Sequence, residues 1–141
     1  KLAGNFHKTY YALAGGEFKG NGTIDKPIYR PDPMKTLRAT GETGDYAVTH
    51  WESLWTDGKI SLLRINLETG RTHQIRVHFA SEGAPLCGDD MYGSTDTRIS
   101  RGALHCGEMT LIHPVSGEQM WFKVPFPDDF NKMLPENKKF Y

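Results

Sequence analysis

Hydrophobic and polar residues alternate in several short segments of the chain, which predicts a protein built mainly from β-strands. Residues 7–14 are rich in β-forming side chains and end at a pair of glycines, so they predict a strand followed by a turn. Residues 46–55 and 60–67 are two further β-prone segments, and large apolar residues alternate with polar ones in the second. Asp57-Gly58 lies between them and predicts a hairpin, because glycine adopts positive φ without steric cost.

The period of the pattern changes after the second of these strands. Ile75 and Phe79 are four positions apart, so they would share the buried face of a short helix over residues 72–82. Thr72 is a plausible N-cap, because its hydroxyl can accept a hydrogen bond from the first helical turn. Gly83 is placed to end the helix.

The rest of the chain predicts one more hairpin, one more helix and a long connection. Residues 103–112 and 119–124 favour paired strands, and residues 128–134 favour a terminal helix. Residues 17–34 are rich in glycine and proline, which predicts a surface connection. The predicted fold class is therefore α+β, with a mostly antiparallel β-sheet and short helices.

Composition and charge limit what the chain can be. Its 141 residues suit one domain, and the hydrophobic share of 38% fits a globular fold. No run of about 18 apolar residues exists, so no membrane span is predicted. The formal net charge is zero, so binding to RNA would require a local concentration of positive charge. Cys87 and Cys106 lack CxxC spacing; a disulfide stays open, but two isolated buried thiols and a reducing cytoplasm are favoured.

The sequence TGRTHQIRVH concentrates Arg71, His73, Arg76 and His78 in eight positions. On the predicted helix, Thr72, His73 and Arg76 would share one face. A guanidinium there offers a planar fork for a carboxylate or a phosphate, although an ordinary solvated basic face is an open alternative. His73 and His78 are five positions apart, which disfavours a metal site on one helix face.

This segment, together with five others in the same order, resembles the signature of RluA-type RNA pseudouridine synthases. The resemblance implies an α+β fold around a bent antiparallel sheet, with an RNA cleft across its middle. It covers nearly the whole chain. The matching segments are KTYYAL at 8–13, KPI at 26–28, TGRTHQIRVH at 69–78, GAPLCGD at 83–89 with MYG at 91–93, LHC at 104–106 and HPVSGE at 113–118.

The resemblance also implies roles for five residues. Arg76 matches the arginine that pairs with a nucleophilic aspartate, and a neighbouring guanidinium favours the ionised carboxylate. Tyr10 matches the tyrosine that stacks on the target uracil; the alternative is a core aromatic. Arg71 and His73 would contact RNA phosphates or organise the loop, with structural hydrogen bonds as the alternative. Leu104 would line the base pocket, with core packing as the alternative.

The family's H-R-L-D segment, which carries the nucleophilic aspartate, precedes its K-x-Y motif. Here only seven residues precede Lys8, and none of them is aspartate. Asp89 and Asp90 match the structural G-D run instead. We therefore expect residues 1–141 to form a single partial domain, the C-terminal half of a pseudouridine synthase catalytic domain, which is inactive alone.

The expected function is isomerisation of uridine to pseudouridine in ribosomal or transfer RNA, without metal or organic cofactor. Structured RNA is the expected partner, and exposed sheet edges of a partial domain would favour self-association. Two other readings stay open, namely a non-catalytic RNA-binding module with the same fold and a purely structural protein–protein module.

Overall fold

The computed structural model describes residues 6–136. They form one six-stranded sheet in the order β2-β5-β6-β1-β7-β8, with all neighbours antiparallel, and a separate two-stranded ribbon of β3 and β4. The predicted α+β class and both predicted hairpins are confirmed. The elements are β1 Phe6–Ala14, β2 Asn21–Asp25, β3 Ile28–Tyr29, β4 Ala39–Thr40, β5 Val48–Thr56, β6 Ser61–Leu67, α1 Gln74–Ser81, a 3₁₀ turn Asp90–Tyr92, β7 Leu104–Ile112, β8 Gln119–Lys123 and α2 Asp128–Asn131.

The central strand β1 divides the core between the two faces of the sheet, because its successive side chains point to opposite faces. Tyr11 and Leu13 are fully buried in a cluster with Phe130 of α2. Ala12 and Ala14 are fully buried in a second cluster with Ile75 and Phe79 of α1. The prediction that Ile75 and Phe79 pack the helix against the sheet is confirmed.

Two sequence predictions need correction. Residues 17–34 are not only a connection, since they contain β3 and the edge strand β2, which pairs with β5. Gly22 weakens the strand pattern in the sequence of β2. A Cβ atom at this position would lie 2.6 Å from the Trp51 ring, so the close approach of that ring requires glycine. The terminal helix is shorter than predicted and ends at Asn131, while Met133 and Leu134 still pack into the core.

Candidate active site

The segment that joins β6 to α1 carries two of the predicted site residues, Arg71 and His73, and leads directly to a third, Arg76. The helix begins at Gln74, two residues later than predicted, and its N-cap residue is His73 rather than Thr72. His73 has φ of 58°, the left-handed region, and makes no side-chain capping bond. The prediction of Thr72 as the N-cap is therefore wrong, and Thr72 and His73 do not share a helix face with Arg76.

The side chain of Gln74, the first residue of the helix, joins the preceding loop to the sheet. Its Oε1 accepts hydrogen bonds from the Thr69 hydroxyl at 2.7 Å and from the Arg71 backbone N–H at 3.0 Å. Its Nε2 donates to the Val48 carbonyl and to the Thr49 hydroxyl, both at 3.0 Å. One buried amide thus joins the loop to the start of β5 and fixes how α1 leaves the sheet.

The hydrogen-bonded chain continues to the buried His78. The Thr49 hydroxyl lies 2.8 Å from His78 Nδ1, and His78 Nε2 lies 2.8 Å from the carbonyl oxygen of Lys26. A carbonyl can only accept, so Nε2 carries the proton and Nδ1 accepts from Thr49. Burial lowers the pKa of His78, which keeps the ring neutral. His78 is a structural residue of this site.

Arg76 projects from α1 and forms a two-pronged ion pair with Asp89. Arg76 Nε donates to Asp89 Oδ2 at 2.9 Å, and Nη2 donates to Oδ1 at 2.8 Å. The Arg76 Cζ atom also lies 5.1 Å from the centre of the Tyr92 ring, a cation–π contact. The hydrogen bonds to Asp89 raise the pKa of Arg76, so its charge is permanent. The guanidinium is held in one orientation before any substrate binds.

Asp89 is held by a turn that is bonded to the central strand. The Cys87 N–H donates to the Leu13 carbonyl at 2.8 Å, and the Ala103 N–H donates to the Cys87 carbonyl at 2.9 Å. Gly88 follows with φ of 80°, and a Cβ atom there would lie 2.2 Å from the carbonyl oxygen of Arg101. Only glycine fits this turn. The Asp89 side chain is 2% exposed, and both of its oxygens are bound by Arg76, so it serves to position that arginine.

Tyr10 and Leu104 lie on the same face of the sheet as α1. Both are half-buried and pack against the cluster that contains Ile75 and Phe79. The pairing of β1 with β7 shifts register between Thr9 and Tyr10, an irregularity that re-aims a side chain at the sheet surface. Burial raises the pKa of Tyr10, with Cys106 as a second cause, so the phenol stays protonated near neutral pH.

Arg71 and His73 flank the start of the helix and are tied down by different bonds. Arg71 Nε donates to the carbonyl oxygen of Tyr46 at 2.8 Å. His73 Nδ1 lies 2.7 Å from the Tyr92 hydroxyl, which also accepts the backbone N–H of Arg38 at 2.9 Å. Burial first, and then Arg76 and Arg38, lower the pKa of His73. His73 is thus neutral and organises the loop, while Arg71 is exposed at the surface.

Three residues of this arrangement were not predicted to act in it. The sequence gives Gln74 and Tyr92 only as residues of the family motifs, and Asp89 only as part of a structural G-D run. The sequence does indicate an ion pair for Asp89, because a carboxylate in the turn after a helix rich in basic residues is a natural partner for an arginine. The role of Gln74 depends on the backbone of β5, which lies far away in sequence, so no local pattern could show it.

Three further features of the described residues concern metal ligands, cysteines and membrane spans. Within residues 6–136, no group of three or more His, Cys, Asp or Glu side chains is placed to hold a metal ion. Both cysteines are free, Cys87 buried and Cys106 half-buried, and burial raises the pKa of Cys87 to about 12, which disfavours a thiolate nucleophile. No helix in the described part is long and apolar enough to cross a membrane.

Comparisons with known proteins show which family the chain resembles. Residues 3–81 match the family model described as RNA pseudouridylate synthase. The chain is 41% identical over 129 residues to the RNA pseudouridine synthase YhcT of Bacillus subtilis, covering 89% of this chain and 43% of that protein. It is 38% identical over 148 residues to the ribosomal large subunit pseudouridine synthase D of Haemophilus influenzae, covering 95% of this chain and 46% of that protein.

A solved structure extends the likeness from sequence to fold. The human RNA pseudouridylate synthase domain containing 1 superposes with a TM-score of 0.71 at 26% identity, over 86% of this chain and 55% of that one. The sheet with helix α1 on one face is therefore the fold of an RNA pseudouridylate synthase domain. The chain belongs to the RNA pseudouridylate synthase family. It spans less than half the length of the curated relatives that it matches.

Proposed function

We propose that the complete gene product isomerises uridine to pseudouridine in RNA, and that residues 1–141 supply the C-terminal half of its catalytic domain. The observation that carries this proposal is the preorganised guanidinium of Arg76, held on the sheet face that also bears Tyr10 and Leu104. Family membership supports the same activity. An arginine fixed before substrate arrives can stabilise a carboxylate without reorganising during the reaction.

The reaction needs no oxidant or cofactor. The bond between N1 of uracil and C1′ of ribose breaks, the base turns, and a bond forms between C5 and C1′; C5 loses a proton and N1 gains one. The resemblance implies an aspartate in an H-R-L-D motif that assists this cleavage, and the 141 residues contain no such motif. We assign Arg76 to keep that aspartate ionised, because the pair with Asp89 uses Nε and Nη2 and not Nη1.

Tyr10 and Leu104 are assigned to the target base. A base extruded from a helix needs a flat apolar platform, and the half-buried Tyr10 ring offers one with a protonated hydroxyl at its edge. Leu104, on the neighbouring strand β7, would line the same pocket. Replacing Tyr10 by phenylalanine should preserve base stacking, whereas Tyr10→Ala should weaken it by about 1–3 kcal/mol.

We propose RNA of the large ribosomal subunit as the substrate, because several relatives carry that substrate in their names. Transfer RNA is the other outcome to test. The cytoplasm is the corresponding location, as the cysteine usage predicts. Because the formal net charge of the chain is zero, binding to RNA must depend on a local group of cationic side chains.

The experiment compares two proteins on two RNAs. The complete gene product and the 141-residue chain are each incubated with unmodified ribosomal and transfer RNA, and pseudouridine is measured by mass spectrometry of the digest. We expect conversion of ribosomal RNA by the complete product and none above background by the chain alone. RNA binding by the complete product without conversion would favour the non-catalytic module. Reading the gene upstream of Lys1 for an H-R-L-D motif gives an independent check.

A further inference from the structure

A pocket of about 400 Å³ lies beside the candidate active site and is rich in arginine. Arg30, Arg38 and Arg71 line it, and Asp45 is the one acidic side chain among its lining residues. Its volume falls within the range typical of sites that hold small molecules or parts of larger ligands. Three guanidinium groups against one carboxylate leave the pocket positively charged, although the chain as a whole has no net charge.

These three arginines differ from the other four in what they bind. Arg64, Arg76, Arg98 and Arg101 each contact a carboxylate, at distances between 2.6 and 2.9 Å. All seven arginines of the sequence lie within residues 6–136. In that part of the chain, the three arginines of the pocket have no ion pair within 4.0 Å. The only arginines without an acidic partner in the described residues thus line one pocket.

Each pocket arginine is nevertheless held in place. Arg30 Nε donates to the carbonyl oxygen of Lys35 at 2.6 Å, and Arg71 Nε donates to that of Tyr46 at 2.8 Å. Arg38 Nη1 donates to the carbonyl oxygen of Thr36. A guanidinium has five N–H donors, so one bond to a carbonyl orients it and leaves donors for a ligand. A carbonyl carries no formal charge, so the positive charge is not neutralised.

Tyr92 connects the pocket to the Arg76–Asp89 pair. Its hydroxyl accepts the backbone N–H of Arg38 at 2.9 Å, and its ring lies beneath Arg76. Arg71 belongs to the loop that leads into α1. The pocket is therefore linked to the Arg76–Asp89 pair through the Tyr92 side chain and through the loop that carries Arg71.

We propose that Arg30, Arg38 and Arg71 form a phosphate-binding pocket for the RNA backbone that flanks the target uridine. The proposal rests on the proposed function for the identity of the RNA. Guanidinium groups match the geometry of phosphate oxygens, and such contacts fix the position of a strand without reading its bases. The pocket supplies the local positive charge that a chain of zero net charge needs to hold RNA.

The test measures how RNA binding depends on salt. Arg30→Gln, Arg38→Gln, Arg71→Gln and the triple variant are made in the complete gene product, and circular dichroism checks their folding. Binding to a short oligouridine and to unmodified large-subunit ribosomal RNA is measured over a series of KCl concentrations. Each lost phosphate contact should reduce the slope of log K against log[salt] by about 0.7–0.9, and the triple variant by roughly 2. The loss of activity should fall mainly on KM.

Arg98→Gln is the matched control, because Arg98 is exposed but paired with Asp96, and it should leave the salt slope unchanged. A triple variant with unchanged affinity and slope would overturn the proposal. So would tight binding of inorganic phosphate alone, abolished in the triple variant while RNA binding persists, since the site would then hold a free anion. If the wild type makes pseudouridine and the slope does not change, only the pocket assignment fails. If the slope changes but no pseudouridine forms, only the proposed function fails.

Discussion

The start of α1, which packs on the sheet, and the β7–β8 hairpin, which is part of it, are stabilised in different ways. Around α1, the side chains of Gln74, Thr49 and His78 are buried, and each makes hydrogen bonds that fix the path of the backbone. The hairpin pairs through its backbone, and on β8 the side chains of Trp121 and Phe122 are 59% and 46% exposed. Side-chain hydrogen bonds fix the backbone of the first region, while the second exposes apolar surface to solvent.

The largest effect should come from removing the fixed guanidinium of Arg76 in the α1 region. Arg76→Ala in the complete gene product should reduce kcat for pseudouridine formation by roughly 10²–10³-fold, because a charged reacting group loses its preorganised partner. Arg76→Lys should recover only part, since ammonium keeps the charge but not the fork. Turnover is measured on ribosomal RNA under single-turnover conditions.

Arg98→Ala is the control for Arg76, because it removes another arginine that is paired with an aspartate but lies outside the site. Its turnover should match the wild type. Near-normal turnover in Arg76→Ala would mean that another arginine holds the aspartate.

The next largest effect concerns the buried amide. Gln74→Ala removes two acceptor and two donor bonds and leaves buried partners unsatisfied, so the free energy of unfolding should fall by about 2–4 kcal/mol. Gln119→Ala, on the exposed strand β8, should change it by less than about 0.5 kcal/mol. Urea denaturation of both variants measures the difference. Equal effects would show that side-chain bonds do not distinguish the two regions.

A smaller effect should appear in the pH dependence of stability. Burial lowers the pKa of His78 below 6.5 in the folded protein, so the unfolded chain binds the proton more tightly. The stabilisation is complete above pH 6.5 and is lost as the pH falls through the lower folded value. Each unit of pKa difference is worth about 1.4 kcal/mol. In His78→Gln the fall of Tm between pH 7 and pH 5 should be shallower, and an identical slope would contradict the assignment.

The smallest expected effect concerns the exposed hairpin. β8 is an edge strand of the sheet, and its aromatic side chains favour association between copies of the 141-residue chain. Trp121→Lys should weaken this association by about tenfold, or roughly 1.4 kcal/mol. Light scattering after size exclusion measures it. A wild-type chain that stays monomeric over a wide concentration range would contradict the prediction.

Local sequence patterns predict most of the fold, because hairpins and short amphipathic helices depend mainly on residues that are close in sequence. The hairpin at Asp57-Gly58 is an example, with Gly58 at φ of 91° in the turn. Strand β2 is not predicted from its own residues, because Gly22 weakens the local strand pattern and because the pairing with β5, in which Thr23 lies opposite His50, joins distant segments. The shifted start of α1 was missed for the same reason, since the bonds of Gln74 to Val48 and Thr49 join distant segments.

The residues of the candidate site differ in the same way, between those with a local motif and those that depend on distant segments. Arg76 could be selected because its motif is local, and its roles with Tyr10 and Leu104 stay predictions that the turnover experiments address. The sequence offers Asp89 as an ion-pair partner, but its position depends on the turn around Gly88, which lies against the backbone of Arg101. The arginine pocket could not be predicted, because it gathers Arg30, Arg38 and Arg71 from two well-separated segments of the chain.

The central position of β1 has a consequence for how the protein is made. β1 lies between β6 and β7, and its residue His7 pairs with Thr110. During synthesis β1 leaves the ribosome long before either partner exists, so the sheet cannot close until most of the chain has been translated. A topology dominated by such distant pairings folds slowly, and its unpaired apolar strands are exposed meanwhile. The nascent chain should therefore depend on chaperone protection until β7 has emerged.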